Sequence, residues 1–339
     1  MSAELNELRD SARQVLGEAG LAASEAKTWP LVLELGWLLV AVPEEQGGLG
    51  QGLAGACAFH EEFGRSLAAA PYLPAMLAID AACVAGKADW VERLTTRDFV
   101  TTPLTDAALT VSGGKLSGTA SAVPSADRAS HVLLCAGDCV ALVPLKQAGV
   151  ELRERPTWDA TRRLFDLSLS SVSLEPGLIL AQGEAARALS RRLATQRDFA
   201  LAADAVGGAA ALLDSTVEYL KTRRQFGRPL ALFQALKHRC ADLKAQVVGA
   251  EALLAEALAR AGDDLASLAA ERVGQGAKLQ ACTVYARVAE EALQLHGGIG
   301  MTAEHLCHLY LKRALLDEHL GRGGNRYDLA LADALLDPA

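Results

Sequence analysis

Two short segments in the second half of the chain carry residues that can hold a phosphate-bearing ligand. Residues 223–227 read RRQFG, where an arginine can donate a forked pair of charge-assisted hydrogen bonds to phosphate oxygens. Residues 294–300 read QLHGGIG, where the glycines let backbone N–H groups approach an anion closely. Taken alone, the first segment is equally consistent with a solvated basic helix end, and the second with a helix C-cap. The residue types suggest phosphate binding without establishing it.

The histidine and cysteine patterns predict no metal site. His296 lies in the second of these segments, and a single histidine in a helix-ending loop favours a structural role. His305, His308 and His319 are spaced along one helix face, but no second cluster of ligands accompanies them. The seven cysteines are odd in number and form no CxxC motif, so we expect reduced and mostly buried thiols.

The bulk composition is that of a globular protein and gives no reason to expect nucleic acid binding. Hydrophobic residues make up 51% of the 339 residues, and the formal net charge is −8, with 33 Lys and Arg against 41 Asp and Glu. The N-terminal segment is charged and amphipathic, unlike a signal peptide. No uninterrupted apolar run of the length that spans a bilayer occurs, so we predict a cytoplasmic protein that binds no membrane.

The elements that must position these segments follow the order helices, strands, helices. Apolar residues recur at helical spacing over residues 1–97. Short β-prone runs, with a hairpin signal at Gly113-Gly114, predict a small antiparallel barrel or sandwich over residues 98–182. Long Ala- and Leu-rich helices, one of them from 185 to 224, predict an antiparallel bundle over residues 183–339. The predicted fold class is therefore α+β and mostly α, in three domains.

Four segments together resemble the acyl-CoA dehydrogenase family. Residues 219–243 (YLKTRRQFGRPLALFQALKHRCADL) resemble the family pattern Y..R.QFG.P...FQ, and residues 294–314 (QLHGGIGMTAEHLCHLYLKRA) resemble Q..GG.GY..E......RDA. Residues 42–50 (VPEEQGGLG) look like a family turn, and residues 193–208 (LATQRDFALAADAVGG) resemble LD.GR...AA..LG. They occur in the family's order and at roughly its spacings. The resemblance implies an N-terminal helical domain, a middle β domain and a C-terminal four-helix bundle.

The resemblance also implies a cofactor and partners. Family members bind FAD, oxidise an acyl-CoA, pass electrons to electron-transfer flavoprotein, and usually form tetramers built from dimers. Segment 183–339 is implied to bind FAD and to mediate oligomerisation. The two phosphate-binding segments would hold, in trans, the adenine end of the FAD whose flavin ring lies in a neighbouring subunit. The positions implied to contact FAD are Arg223, Gln225, Phe226, Gln234, Gln294, Gly297 and Gly298.

A catalytic base is missing at both positions that the family uses. In the family reaction a carboxylate removes the α-proton of the acyl chain while the flavin takes the β-hydride. Aligning residues 312–314 with the family's RDA places Gly321 where the catalytic Glu stands. The second known position corresponds to Gln196, just before Arg197. Neither a glycine nor an amide can take the proton. Glu318, about one helical turn away, is a candidate for a displaced base, and a solvated surface carboxylate is the alternative.

The segments implied to face the flavin ring within the same chain also depart from the family pattern. Residues 101–106 stand where the family has T-E-P-x-A-G-S-D, and they lack the Gly-Ser pair. Residues 121–123 replace the family's W-I-T strand. The run 320–326 resembles a C-terminal L.GG...R pattern of short, base-lacking subunits in heterotetrameric bacterial acyl-CoA dehydrogenases, notably those that shorten steroid side chains. The resemblance therefore implies a subunit that completes the FAD site of a base-bearing paralogue.

Two other functions stay open at this point. The chain could be a complete homomeric acyl-CoA dehydrogenase with a displaced base such as Glu318. It could also be a flavin-dependent monooxygenase or a flavin scaffold of the same fold, for which no α-proton base is needed. The sequence does not distinguish a fatty, branched or steroid acyl chain.

Overall fold

The structure, a computed structural model, describes residues 3–322 and 326–336, and its first part is helical as predicted. An aromatic cluster joins these helices: the ring of Trp37 lies 5.0 Å from that of Phe59, and Phe63 stacks on Tyr72 at 5.0 Å. These four rings are buried, and large apolar side chains dominate the packing energy of such a core. The helices are α1 (Ala3–Ala19), α2 (Glu25–Glu34), α3 (Gly52–Ser66), α4 (Tyr72–Val84) and α5 (Ala88–Thr96).

The middle part of the chain forms strands. They are β1 (Val100–Thr101), β2 (Ala108–Ser112), β3 (Lys115–Pro124), β4 (His131–Ala136), β5 (Cys139–Pro144), β6 (Val150–Arg155), β7 (Leu164–Ser173) and β8 (Ile179–Gln182). They assemble in the orders β1-β4-β5-β8 and β2-β3-β7-β6. The predicted hairpin is confirmed, since Ser112 pairs with Lys115 across Gly113-Gly114. Within the described residues, β1 pairs with β4 in parallel, and the other pairings of these two sheets are antiparallel.

The sequence predicted either a barrel or a sandwich, and the two separate four-stranded sheets distinguish between them. The strands of the described chain do not close into a barrel, so that alternative was wrong. Leu116 of β3 and Phe165 of β7 share one buried core with Val132 of β4 and Val143 of β5. Because side chains from both sheets meet in this core, the arrangement is that of a sandwich.

In the described residues after 182, five α-helices follow, and the first is the centre of the bundle. They are α6 (Gly183–Thr222), α7 (Gln234–Ala261), α8 (Leu268–His296), α9 (Cys307–His319) and α10 (Arg326–Leu336). The backbones of α3 and α6 nearly touch, because a Cβ at Gly207 would overlap the carbonyl oxygen of Glu61, and one at Gly64 would overlap that of Asp204. Glycine is required at these two positions by space. The long α6 thereby links the bundle to the N-terminal helices.

An apolar window in α6 resembles a membrane span by length and composition alone. In the structure, 78% of this window is buried inside the protein. No other helix of the described chain meets the same criterion. A buried core helix of a large bundle has this composition as well, so the window is weak evidence for a membrane span.

A buried charge cluster joins the middle sheets to the bundle. Arg313 of α9 is 1% exposed, and its Nε lies 2.8 Å from Asp159 Oδ2 in the loop before β7. Its Nη1 lies 3.1 Å from Asp204 Oδ2 on α6. Arg162 of the same loop contacts Asp204 at 3.0 Å and also pairs with Asp317 of α9. The end of α9, which leads to Gly321, is therefore fixed by charges from two other elements.

Candidate functional site

The RRQFG segment forms a small hairpin that leaves the end of α6. Strands β9 (Arg224–Gln225) and β10 (Arg228–Pro229) pair in antiparallel fashion, with Phe226 at the tip. The Phe226 side chain is 88% exposed, and its backbone has a left-handed φ of 51°. Its ring contacts Phe233 edge-on at 6.1 Å, and the guanidinium of Arg228 lies 4.0 Å above Phe233. An exposed aromatic ring on strained backbone is typical of a binding surface.

The QLHGGIG segment ends α8 and opens into a 3₁₀ turn at Gly297–Met301. Gln294 and the residues from Gly297 to Ile299 are exposed. Gly297 has a φ of 65°, which glycine adopts without strain. A Cβ at Gly297 or Gly298 would meet no atom within 4 Å, so this side of the backbone is open. The turn can therefore present N–H groups to an anion.

Tyr219 and His296 bring the two segments together. Tyr219 lies one turn before Arg223, and its ring stacks on the His296 ring at 4.4 Å. The Tyr219 hydroxyl donates to the carbonyl oxygen of His296 at 3.3 Å. His296 is 4% exposed, its Nδ1 donates to Ala292 O at 2.7 Å, and burial lowers its pKa. The base of the hairpin and the start of the glycine turn are thus fixed against each other.

Gln234 is the first residue of α7 and is exposed. It directly follows Phe233, whose ring contacts both the Phe226 ring and the Arg228 guanidinium. The structure thus places Gln234 at the foot of the hairpin. Within the described chain, no group of three or more His, Cys, Asp or Glu side chains is arranged to hold a metal ion.

Gly321 lies in the turn after α9 and is closed on two sides. Its N–H donates to Leu104 O at 2.7 Å, and Thr105 bridges to it. Its φ is 83°, and a Cβ there would overlap the Tyr327 hydroxyl oxygen and lie 3.3 Å from Asp198 Oδ1. The position that the sequence assigns to a catalytic carboxylate therefore has no room for any side chain in this conformation.

Gln196 lies on α6 beside an apolar cavity of 190 Å³ between α3, α4 and α6. At the same cavity, Arg192 donates two hydrogen bonds of 2.8 Å to the carboxylate of Asp80. The Gln196 amide can donate and accept hydrogen bonds, but it cannot act as a base. The cavity can hold an apolar chain; its apolar wall includes Val42, Leu53, Met76, Leu77 and Ile79.

A second cavity, of 280 Å³, is lined by Thr105, which bridges to Gly321, and we call it the cis cavity. It lies against residues 102–107, which stand where the family's flavin-facing loop is expected. Its polar and sulfur-bearing wall includes Thr102, Thr105, Asp106, Cys135, Ser190 and Arg197. Arg197 Nη2 pairs with Asp198 Oδ1 at 3.0 Å, so the arginine is already neutralised within the chain.

Glu318 lies on the last turn of α9 and is half-buried. Burial raises the pKa of its carboxyl group, while His319 and Lys278 lower it. Its backbone oxygen accepts a hydrogen bond of 3.0 Å from Lys278 Nζ. Glu318 is part of the wall of neither the cis cavity nor the cavity beside Gln196.

Sequence reasoning missed Tyr327, which fills the space beside Gly321, and Lys278, which lies against the Tyr327 ring. Tyr327 is 1% exposed, and its hydroxyl donates to Asp198 Oδ1 at 2.8 Å. No periodic pattern signals this contact, since the two residues are 129 positions apart. Residues Gly323, Gly324 and Asn325 of the predicted C-terminal pattern lie outside the described residues.

Comparison with known proteins identifies the family. The family model for the acyl-CoA dehydrogenase N-terminal domain matches residues 2–96, and the model for the C-terminal domain matches residues 183–327. The acyl-CoA dehydrogenase IpdE2 of Mycolicibacterium smegmatis is 33% identical over 84% of this chain and 80% of its own length. IpdE2 of Mycobacterium tuberculosis is 35% identical over 84% of this chain and 79% of its own length.

Solved structures agree with this result. A Tcur3481-Tcur3483 steroid ACAD variant superposes with a TM-score of 0.86 at 28% identity, covering 98% of each chain. The ChsE4-ChsE5 complex from Mycobacterium tuberculosis gives a TM-score of 0.89 at 24% identity, covering 99% of this chain and 98% of that one. The matched domains, the identity to IpdE2 and the shared fold show that the chain belongs to the acyl-CoA dehydrogenase family of flavin-dependent oxidoreductases.

Proposed function

We propose that this chain is the base-lacking subunit of a heteromeric, FAD-dependent acyl-CoA dehydrogenase. One observation carries the proposal: the hairpin and the glycine turn are open to solvent, whereas Gly321 is closed by Leu104 and Tyr327. The chain can thus offer half of an FAD site to a neighbour while contributing no carboxylate of its own at that position. The base comes from a paralogous partner subunit.

The exposed residues of the hairpin and the glycine turn fit the adenine and diphosphate end of FAD. Arg223 is exposed at the end of α6, and its guanidinium is available for a forked pair of hydrogen bonds to phosphate oxygens. The Phe226 ring can cover an adenine, and Gln225, Gln234 and Gln294 supply exposed amides. Bound FAD supplies the acceptor for the β-hydride of the acyl chain.

The residues of the cis cavity do not offer a comparable site for FAD. An arginine there is paired with Asp198, and the turn after α9 is tied to the 102–106 loop through Gly321. No free carboxylate of the described chain stands at either family position for the base, since these are Gly321 and Gln196. We therefore place the flavin ring and the α-proton abstraction in the partner subunit.

Relatives support a steroid-type acyl-CoA as substrate. The solved Tcur3481-Tcur3483 protein, 28% identical to this chain, is named a steroid ACAD and joins two different gene products. We propose that the substrate is a steroid side-chain or related acyl-CoA thioester, which undergoes α,β-dehydrogenation. Electron-transfer flavoprotein is the proposed electron acceptor, and the cytoplasm is the proposed compartment.

Coexpression tests this function directly. The chain is produced alone and together with an acyl-CoA dehydrogenase paralogue, from the same genome, that keeps its catalytic Glu. We expect copurification, flavin absorbance and acyl-CoA oxidation from the pair, and neither flavin nor activity from the chain alone. Full FAD content and activity of the chain alone would overturn the proposal.

A Glu318→Gln variant of this chain, tested within the complex, addresses the displaced base. Because Glu318 borders neither cavity, we expect turnover equal to that of the wild-type complex. A loss of about a hundredfold or more, the contribution typical of a general base, would instead assign the proton transfer to this chain.

A further inference from the structure

Three contacts from three different elements hold the Tyr327 side chain at Gly321. Its hydroxyl donates to Asp198 Oδ1 of α6 at 2.8 Å and accepts from the backbone N–H of Arg322 at 3.1 Å. The Nζ of Lys278 on α8 lies 4.6 Å from the ring centroid, within range of a cation–π interaction. Since the side chain is 1% exposed, these contacts fix it with little freedom.

Burial and the charged side chain of Asp198 keep the Tyr327 hydroxyl protonated, so that it donates its hydrogen bond to Asp198. Asp198 also accepts from Arg197 Nε at 3.1 Å and Nη2 at 3.0 Å, so the acceptor is itself oriented. Burial raises the pKa of Tyr327, and the Asp198 charge raises it further. The phenol therefore stays protonated throughout the neutral range.

On its other side, Gly321 holds the 102–106 loop, which forms one wall of the cis cavity. The Gly321 N–H binds Leu104 O at 2.7 Å, and Thr105 forms a bridge with Gly321. Arg326, one residue before Tyr327, adds an ion pair of 3.4 Å with Asp106 of the same loop. The hydroxyl, the turn and the loop thus form one continuous chain of contacts.

We propose that Tyr327 is an internal plug at Gly321, anchored by Asp198, and that it holds the 102–106 loop in place as one wall of the cis cavity. The plug fills the space that a side chain at position 321 would need and keeps the 102–106 loop in place. The inference rests on the proposed function only in naming the cavity a flavin half-site. It gives a physical reason why such a subunit serves FAD in trans and not in cis.

Two partly buried cysteines allow the plug to be tested on the full chain, without FAD or partner. Cys135 lines the cis cavity and Cys83 lines the cavity beside Gln196. We compare alkylation of each thiol by N-ethylmaleimide, mapped by peptide mass spectrometry, in wild type and in Tyr327→Phe. We expect alkylation of Cys135 to accelerate about tenfold, the factor that loss of one hydrogen bond to a charged group gives. The rate at Cys83 stays unchanged.

Tyr310→Phe is the matched control, because it removes another tyrosine hydroxyl, one that donates to Arg65 O at 2.8 Å. It should leave Cys135 as slow as in wild type. Gly321→Ala is a second variant, which displaces the hydroxyl from the opposite side and should also accelerate Cys135. Unchanged Cys135 rates in either variant, or equal acceleration of Cys83, would overturn the plug. Copurification with a base-bearing paralogue is unaffected by that outcome, so the two proposals fail separately.

Discussion

Asp317 is fully buried on α9 between Arg162 and Asp204. Burial raises the pKa of Asp317 well above its ordinary value, and the Asp204 charge adds to this, although Arg162 and Arg313 lower it. Three aspartates in this cluster face two arginines, so one bound proton balances the charge. Asp317 is the natural place for it, because a side-chain hydrogen bond with Asp204 also raises the pKa of Asp317.

Because of this proton, the free energy of unfolding depends on pH, and an Asp317→Asn substitution tests the direction of that dependence. In the unfolded chain Asp317 ionises near the ordinary value of about 3.9, whereas the folded chain holds its proton to higher pH. Stability therefore falls as pH rises between those two values. Asp317→Asn copies the protonated form, so we expect a higher urea midpoint than wild type at pH 8, with a difference that narrows toward pH 5.

Asp204→Asn is the opposite control within the same cluster. Burial pushes the pKa of Asp204 up, but Arg162 and Arg313 outweigh it and hold that pKa below the ordinary value. Its charge therefore stabilises the fold at neutral pH, and the amide should lower the urea midpoint there. If both variants shift the midpoint in the same direction at pH 8, the assignment of the proton to Asp317 is wrong.

The hairpin of β9 and β10 is the element that carries the candidate FAD contacts. It is held at its base by the pairing of Tyr219 with His296 and at its side by Phe233. Its tip, Phe226, contributes little buried surface to this chain, since the side chain is 88% exposed. Substitutions at the exposed positions should thus affect ligand binding far more than folding.

Arg223→Ala tests that expectation in the complex with a base-bearing paralogue. Loss of a charge-assisted hydrogen bond to phosphate should weaken FAD retention by about ten- to a hundredfold, while the unfolding midpoint changes little. Flavin absorbance after gel filtration is the measurement. Arg187→Ala, at the other end of α6 and paired with exposed Glu184, serves as the control. Equal FAD retention in both variants would remove the hairpin from the cofactor site.

At the scale of the whole molecule, Arg313 connects the sandwich to the bundle. It contacts Asp159 of the loop before β7, Asp204 of α6, and the Thr161 hydroxyl. Asp159 in turn accepts from the Thr161 N–H at 2.9 Å, which fixes the loop. Removing one member of such a network leaves buried charges uncompensated, and this costs more than the pair itself contributes.

Arg313→Met should therefore lower the free energy of unfolding by about 3–5 kcal/mol. Urea denaturation at pH 7, followed by circular dichroism, gives the value. Arg260→Met is the matched control, because Arg260 pairs with Glu256 on the exposed surface of α7 and should contribute little. A change in Arg313→Met no larger than in the control would show that the junction does not depend on the cluster.

The amino-acid sequence by itself determined the order of helices, strands and helices, and it predicted the residues that bind phosphate. Both follow from local information. The predicted helix from 185 to 224 corresponds to α6 at Gly183–Thr222, because its richness in Ala and Leu and the Pro229 that follows it are properties of neighbouring residues. The absence of a carboxylate at positions 196 and 321 could also be read from an alignment of short motifs.

Only the tertiary structure decided that position 321 has no room for a side chain. Tyr327 reaches Asp198 across 129 residues, and Arg313 reaches Asp159 across 154. Contacts between residues so far apart have no periodic signature, since they depend on how whole elements pack. Whether the strands form a sandwich or a barrel likewise depends on which strands pair with each other. The sequence predicted that a base is missing, and the packing of Tyr327 of α10 against Asp198 of α6 showed that the space beside Gly321 is filled.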